Sequence, residues 1–256
     1  MTKLPSCHDT GVVSADPSIV LSETVLSAVR SHHAFEGCVE QLGTAIRLGV
    51  YPRGSTLPPE RELAEWLGVS RATLREAIAA LRAADFVQTT RGRGGGTAVS
   101  FRPQKPSSRR ARALRPRRDE LLDTLVFRRI VEPGASHLAA SRDLSAQQRD
   151  FLVTAHDEVV AAGTDPAKHR QADSRFHLAI AAVAESPHTS RAVATVQGDL
   201  HDMLTAIPVL EVNLDHSSRQ HRLILDAVLK GEATKARRVM ESHCDDTAAL
   251  LRGLLA

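Results

Sequence analysis

The chain has 256 residues, long enough for two domains with separate cores, and its 42% hydrophobic and 25% charged residues are those of an ordinary globular protein, not a disordered or membrane-spanning one. No run reaches the length of a spanning helix, and the opening MTKLPSCHDTGVVSADP lacks the unbroken apolar stretch of an export signal, so a cytoplasmic protein with no membrane partner is expected. The net charge of +3 conceals a division near residue 118: 18 Lys and Arg against 10 Asp and Glu before it, 15 against 20 after it. A basic half suits a polyanion, while an acidic half is suited to another task.

Residues 1–17 carry no periodicity and read as a tail. Over 19–29 the apolar residues Val20, Leu21, Val25, Leu26 and Val29 predict a short amphipathic helix, so that 1–34 forms an N-terminal extension. Cys7, Cys38 and Cys244 are odd in number and scattered, which excludes a disulfide framework or a CxxC site and leaves them as reduced bystanders. Phe35, Cys38, Val39, Leu42, Ala45, Ile46 and Leu48 predict a helix over 35–48, stopped by Gly49 ahead of Pro52 and Gly54.

A second helix is predicted over 59–67, with Pro59 at its start, Glu60 and Glu62 in its first turn, and Gly68 at its end. Ser70 is placed to cap a third helix through Leu74, Ile78 and Leu81, and 86–90 and 97–101 read as strands around RGRGGG. Helix, helix, turn, helix, hairpin is the order of a winged helix-turn-helix over 35–102. RGRGGG is not followed by GK[ST] or a helix, so it is not a nucleotide loop.

Residues 103–118 form a basic linker. With Arg102 they supply eight basic side chains and three prolines and no acid, and serve either as a plain spacer or as a further backbone contact to DNA. Beyond it helices are predicted near 119–141, 145–162, 166–185, 187–206, 212–230 and 232–252, separated by Gly163, Pro166, Pro187, Pro208 and Gly231. The fold class is therefore mainly α, with an antiparallel all-helical bundle over 119–256.

The stretch LPPERELAEWLGVSRATLREAIAALRAADFVQTTRGRGGG resembles the winged helix-turn-helix of the GntR family, over residues 36–101. That resemblance implies contacts to a double-stranded DNA operator from Arg61, from Ser70, Arg71, Thr73 and Arg75 around the recognition helix, and from Arg91 and Gly92 in the wing. The chemistry agrees. Arg71 and Arg75 lie one turn apart, and a guanidinium fork matches guanine O6 and N7 in the major groove. Ser70 and Thr73 stand where hydroxyls and free N–H groups meet phosphate. The alternative for the three helical arginines is a solvated helix face. Ala72 departs from the hydroxyl that many relatives carry.

In QADSRFHLAIAAV, Asp173 and His177 stand four apart and project from one helix face, the spacing that grips a metal ion. His221 and His243 lie in successive helices that a hairpin would bring level. Together with LLDTLVFRRIVEPGASHLAASR, this pattern resembles the FCD ligand-binding domain of the FadR subfamily of GntR regulators, over 119–252. The resemblance implies that Asp173, His177, His221 and His243 hold a divalent metal, zinc, nickel or manganese, and that His169, His201 and His216 do not. It also implies that Arg128 faces the pocket and clamps the carboxylate of a small organic acid filling the open metal positions. A salt bridge from Arg128 to Glu132 at i,i+4 is the competing reading. Ser186-Pro187-His188 departs from the family's asparagine turn.

The expected function is a homodimeric regulator, with repression as the default. It sets two recognition helices in successive major grooves of a pseudo-palindrome and responds to an organic acid through the linker and the first bundle helix. Two other readings are a metal sensor with no organic effector and an architectural DNA binder. A metal-dependent enzyme is not expected, because no general base with its own motif accompanies the metal residues.

Overall fold

The structure is a computed structural model and describes residues 34–90, 96–102, 112–207 and 211–254. The expected tail, the helix over 19–29, Cys7, and the wing residues Arg91 and Gly92 lie outside the described residues. Ala34–Ala256 forms one compact unit.

The basic half opens with α1 (Ala34–Arg47), α2 (Glu60–Leu67) and α3 (Arg71–Ala83), followed by β1 (Val87–Thr90) and β2 (Gly96–Val99). Helix α2 ends because Gly68 takes φ 65°, a left-handed cap that a Cβ would disfavour. Two residues on, the Ser70 hydroxyl accepts from Thr73 N at 3.1 Å and starts α3. The strands pair antiparallel, Val87 with Val99 through Thr90 with Gly96, and Leu57 N donates to Thr97 O at 2.8 Å. One face of each element converges on a core of Leu42, Ile46, Leu63, Leu74, Ile78, Leu81, Val87 and Val99. Phe86 and Phe101 stack at 4.7 Å and close its edge; Phe101 packs there after the strand has ended at Val99.

The 3-10 turn Arg115–Arg117 leads into α4 (Arg118–Ala140), and Arg117 bonds both Glu120 at 3.0 Å and Asp199 at 3.2 Å, so the end of the basic segment is tied to the bundle. Then come α5 (Ala146–Ala162), α6 (Pro166–Val183), α7 (Pro187–Leu204), α8 (Glu211–Leu229) and α9 (Ala233–Leu254). Their starts carry the signals read from sequence: Ser145 and Gln148 make a capping box, while Asp165-Pro166 and Ser186-Pro187 put a capping side chain before a proline at N1. Helix α6 is central, buried at His169, Ala172, Asp173, Ser174, Phe176, His177, Ala179, Ile180, Ala181 and Val183, and therefore covered on more than one side. No helix among the described residues is long and apolar enough to cross a membrane.

Candidate functional site

On the DNA-reading half, Arg61 and Arg71 are exposed on α2 and α3. Arg75 is also exposed, but its Nε donates to Glu60 Oε2 at 2.7 Å, so it does not stand free beside Arg71. An ion pair this exposed contributes at most about 1 kcal/mol and yields readily to a base or phosphate. The Ser70 hydroxyl is engaged with Thr73, whose Oγ1 lies 2.9 Å away.

In the bundle, α6 contributes Asp173 and His177, α8 His221 and α9 His243, and one donor atom from each lies within 4.8 Å of the others. All four side chains are buried. The imidazoles of His177, His221 and His243 crowd together, with ring centroids 4.7 to 5.2 Å apart, and Phe176 covers His221 at 4.7 Å. His221 Nε2 stands 3.3 Å from Asp173 Oδ1. Among the described residues, neither ring nitrogen of His177 or of His221 has an aligned hydrogen-bond partner. Buried polar atoms without partners are costly, and one carboxylate with three imidazoles is the donor chemistry of zinc, nickel or manganese, so these residues fit a divalent ion.

Burial pushes His221 and His243 well below the usual imidazole range, and the neighbouring histidines and Arg128 push the same way. Both are thus neutral at pH 7, the form that binds metal. Gln220 fixes the tautomer of His243. Its amide nitrogen donates to Asp246 Oδ2 at 2.6 Å, so its oxygen faces His243 Nδ1 at 3.0 Å and leaves Nε2 with a lone pair.

Beneath the cluster lies Glu132 on α4. Burial alone would raise its carboxyl, but Arg128, His177 and the Gln197 amide outweigh that and hold it well below the usual carboxylate range. Arg128 Nε donates to Glu132 Oε2 at 2.9 Å and Gln197 Nε2 to Oε1 at 2.6 Å; His177 Nδ1 approaches Oε2 to 3.0 Å, and the Cys244 thiol to 3.7 Å. Arg128 therefore does form the i,i+4 pair with Glu132, yet it also lines a cavity of about 120 Å³ beside Asp173, Gln220 and His243, and its Nη1 has no hydrogen-bond partner among the described residues. Of the remaining histidines, His169 lines the cavity, His201 is buried, and exposed His216 pairs with Asp246 at 3.0 Å; none of the three is among the four clustered donors.

The opposite face of α6 grips the DNA-reading half. Gln171 Nε2 donates to Arg47 O at 3.1 Å and Arg175 Nη1 to Gly49 O at 3.4 Å, capping carbonyls that end α1, while Arg47 pairs with Asp202 of α7 at 2.9 Å. Gly49 allows the approach: it sits at φ 75°, and a Cβ there would lie 2.5 Å from Arg175 Nη1 and 3.0 Å from Gln171 Cβ. Gly49→Ala should cost about 1–3 kcal/mol, from the left-handed backbone plus the displaced side chains, and raise amide exchange at the end of α1. Unchanged melting and exchange would show the contact to be incidental.

Sequence reasoning missed Gln197, Gln220 and Cys244 as neighbours of the site. Polar helix positions and a lone cysteine carry no local mark of what they will touch.

Residues 36–99 match the model of the bacterial regulatory proteins of the gntR family, and residues 123–246 that of the FCD domain. The Glc operon transcriptional activator of Escherichia coli K12 is 31% identical over 223 residues, covering 81% of this chain and 85% of its own. The HTH-type transcriptional repressor NanR of Cronobacter sakazakii is 25% identical, with 84% of each chain covered. The structure of E. coli McbR/YncC matches with a TM-score of 0.51 at 17% identity, covering 87% of this chain and 98% of that one, which shows a shared fold. The first two of these relatives are named as transcriptional regulators. The chain belongs to the gntR family of bacterial regulatory proteins and is a DNA-binding transcriptional regulator with a C-terminal FCD domain.

Proposed function

We propose that the chain is a cytoplasmic, homodimeric repressor whose affinity for a pseudo-palindromic operator is set by a small organic acid bound beside a divalent metal. The observation that carries this reading is the two-sided use of α6. One face presents Asp173 and His177 to the donor cluster, with Asp173 also lining the cavity, and the other, through Gln171 and Arg175, holds the end of α1. A ligand that shifts α6 by a fraction of a turn changes both sets of contacts, which is the differential interaction that coupling requires.

Asp173, His177, His221 and His243 would hold the metal, which supplies an electrophilic anchor for a carboxylate. Arg128, with Glu132 fixing its Nε, keeps Nη1 for the same carboxylate. The cavity of about 120 Å³ suits a molecule of few carbons, since a cavity of roughly 150 Å³ takes benzene. Support for pairing comes from α4, where Val126, Phe127 and Ile130 are 53%, 43% and 67% exposed at helical spacing, an apolar face that a second copy would cover. Arg61, Ser70, Arg71, Thr73, Arg75, Arg91 and Gly92 would meet the operator, Arg71 by direct readout.

The test is fluorescence anisotropy on an operator selected from random DNA, with metal-loaded protein, before and after addition of short carboxylates. The expected result is an operator affinity that falls at least about tenfold when the correct acid saturates. Affinity that follows metal alone would favour a metal sensor, and indifference to both would leave only DNA binding. In the same assay Arg71→Ala should lose about 1–3 kcal/mol on the operator and little on random DNA. Equal losses on both would make Arg71 a phosphate contact.

A further inference from the structure

The cavity beside the donor cluster holds a second cation that a single carboxylate at the metal does not use. Arg170 lines it from α6, about one helical turn, roughly 5 Å, from Asp173. Its Nη1 is buried and has no hydrogen-bond partner among the described residues. Burial pulls the guanidinium down to about 10, and the charge of Asp173 only partly offsets this. An Nη1 group that has lost water without gaining an acceptor is a destabilising arrangement unless a ligand completes it.

A second observation points to the same spot. His169, beside Arg170, is 4% exposed, lines the cavity, and has a buried Nε2 with no hydrogen-bond partner among the described residues. The carboxylate facing this level from α9, Asp246, already accepts from Gln220 and contacts His216, so it is engaged away from Arg170. The lining residues repeat at three- and four-residue intervals on each wall: Asp173, Arg170 and Pro166 on α6; His243, Thr247 and Leu250 on α9. The cavity therefore runs along the helices, with donors at one level and Arg170 and His169 about a turn further on, and aliphatic residues such as Leu204, Ile207 and Leu214 complete its lining.

We propose that the effector is a dianion, a short aliphatic dicarboxylate with one carboxylate at the donor cluster beside Arg128 and the second received by Arg170 and the His169 Nε2–H. The spacer is about two or three methylenes, the length that reaches across about one helical turn. Arg170 is then the residue that selects dicarboxylates over monocarboxylates of the same chain length. The proposal rests on the reading of this cavity as a metal-anchored carboxylate site.

The experiment is calorimetric titration of metal-loaded full-length protein with succinate and glutarate against butyrate and valerate, for wild type, Arg170→Gln and Arg170→Lys. Wild type should bind at least one dicarboxylate about tenfold or more tightly than its monocarboxylate counterpart. Arg170→Gln should abolish that preference while leaving monocarboxylate affinity and metal content unchanged, and Arg170→Lys should keep part of it. Equal affinity of wild type for both classes, or a preference that survives Arg170→Gln, would overturn the proposal and leave the metal-anchored site standing. Binding of neither class to wild type carrying one metal per chain would overturn the carboxylate site itself, and the dianion with it.

Discussion

Arg128→Met should lower the unfolding free energy of the metal-free protein by about 3–5 kcal/mol, the cost of leaving one member of a buried ion pair alone. Arg128 and Glu132 are each only 1% exposed, so water cannot replace the lost partner. Removal of Arg128 leaves the carboxylate with the Gln197 amide and a contact to His177, which does not balance a full charge at that depth. For a chain of this size the melting midpoint should fall by roughly 2–4 °C per kcal/mol. Adding Glu132→Gln to Arg128→Met removes the orphaned charge and should recover more than half of the loss. A single-variant loss below about 1 kcal/mol would mean that Glu132 is not held as a buried anion.

This pair also shows the limit of reading the site from the sequence. The i,i+4 spacing made a bridge between Arg128 and Glu132 visible in advance, and the resemblance suggested that Arg128 faces the pocket. The two readings are compatible: Nε serves the bridge, while Nη1 is left without a hydrogen-bond partner among the described residues. A guanidinium has five N–H donors, so forming the bridge does not use up its capacity to bind a second acceptor.

The bundle was legible because its helices carry local start signals. Ser145, Asp165-Pro166 and Ser186-Pro187 fix beginnings from neighbours within a few residues, and Gly163 and Gly231, both at positive φ, mark ends. The donor cluster was legible in part, because Asp173 and His177 share a face by spacing alone. What surrounds it depends on tertiary packing. Gln197 reaches Glu132 from 65 positions away, and Cys244, expected as a bystander, ends against the same carboxylate. The contact of α6 with α1 joins residues more than 120 positions apart, and the sequence pointed to the linker as the route between the two halves. Helix α6 conceals its orientation because it is buried on more than one side, which erases the periodicity that marks an inner face.

Reloading chelator-stripped protein with a divalent ion should give the largest rise in stability. An ion that binds only the folded chain, at about a thousand times its dissociation constant, adds about 4 kcal/mol, or roughly 8–16 °C in melting midpoint. His221→Ala should erase that increment, since His221 is fully buried at the centre of the donor set and is the member of that set that α8 supplies among the described residues. The stripped protein should also respond to acid with a definite sign. His221 and His243 sit well below 6.5 in the folded state because burial and the neighbouring charges disfavour their cations, whereas both titrate near 6.5 when unfolded. Above pH 6.5 neither state binds these protons and stability is flat. Below it the unfolded chain takes them up and the folded chain does not, so stability falls by up to about 1.4 kcal/mol per pH unit for each histidine, about 2.7 for the pair. The same protons compete with the metal for the imidazoles once the chain opens, so acid and chelator should act in the same direction. A stripped protein equally stable at pH 7.5 and 5.5 would mean that these imidazoles take up protons without unfolding, and a midpoint indifferent to metal in wild type would remove the ion from the site altogether.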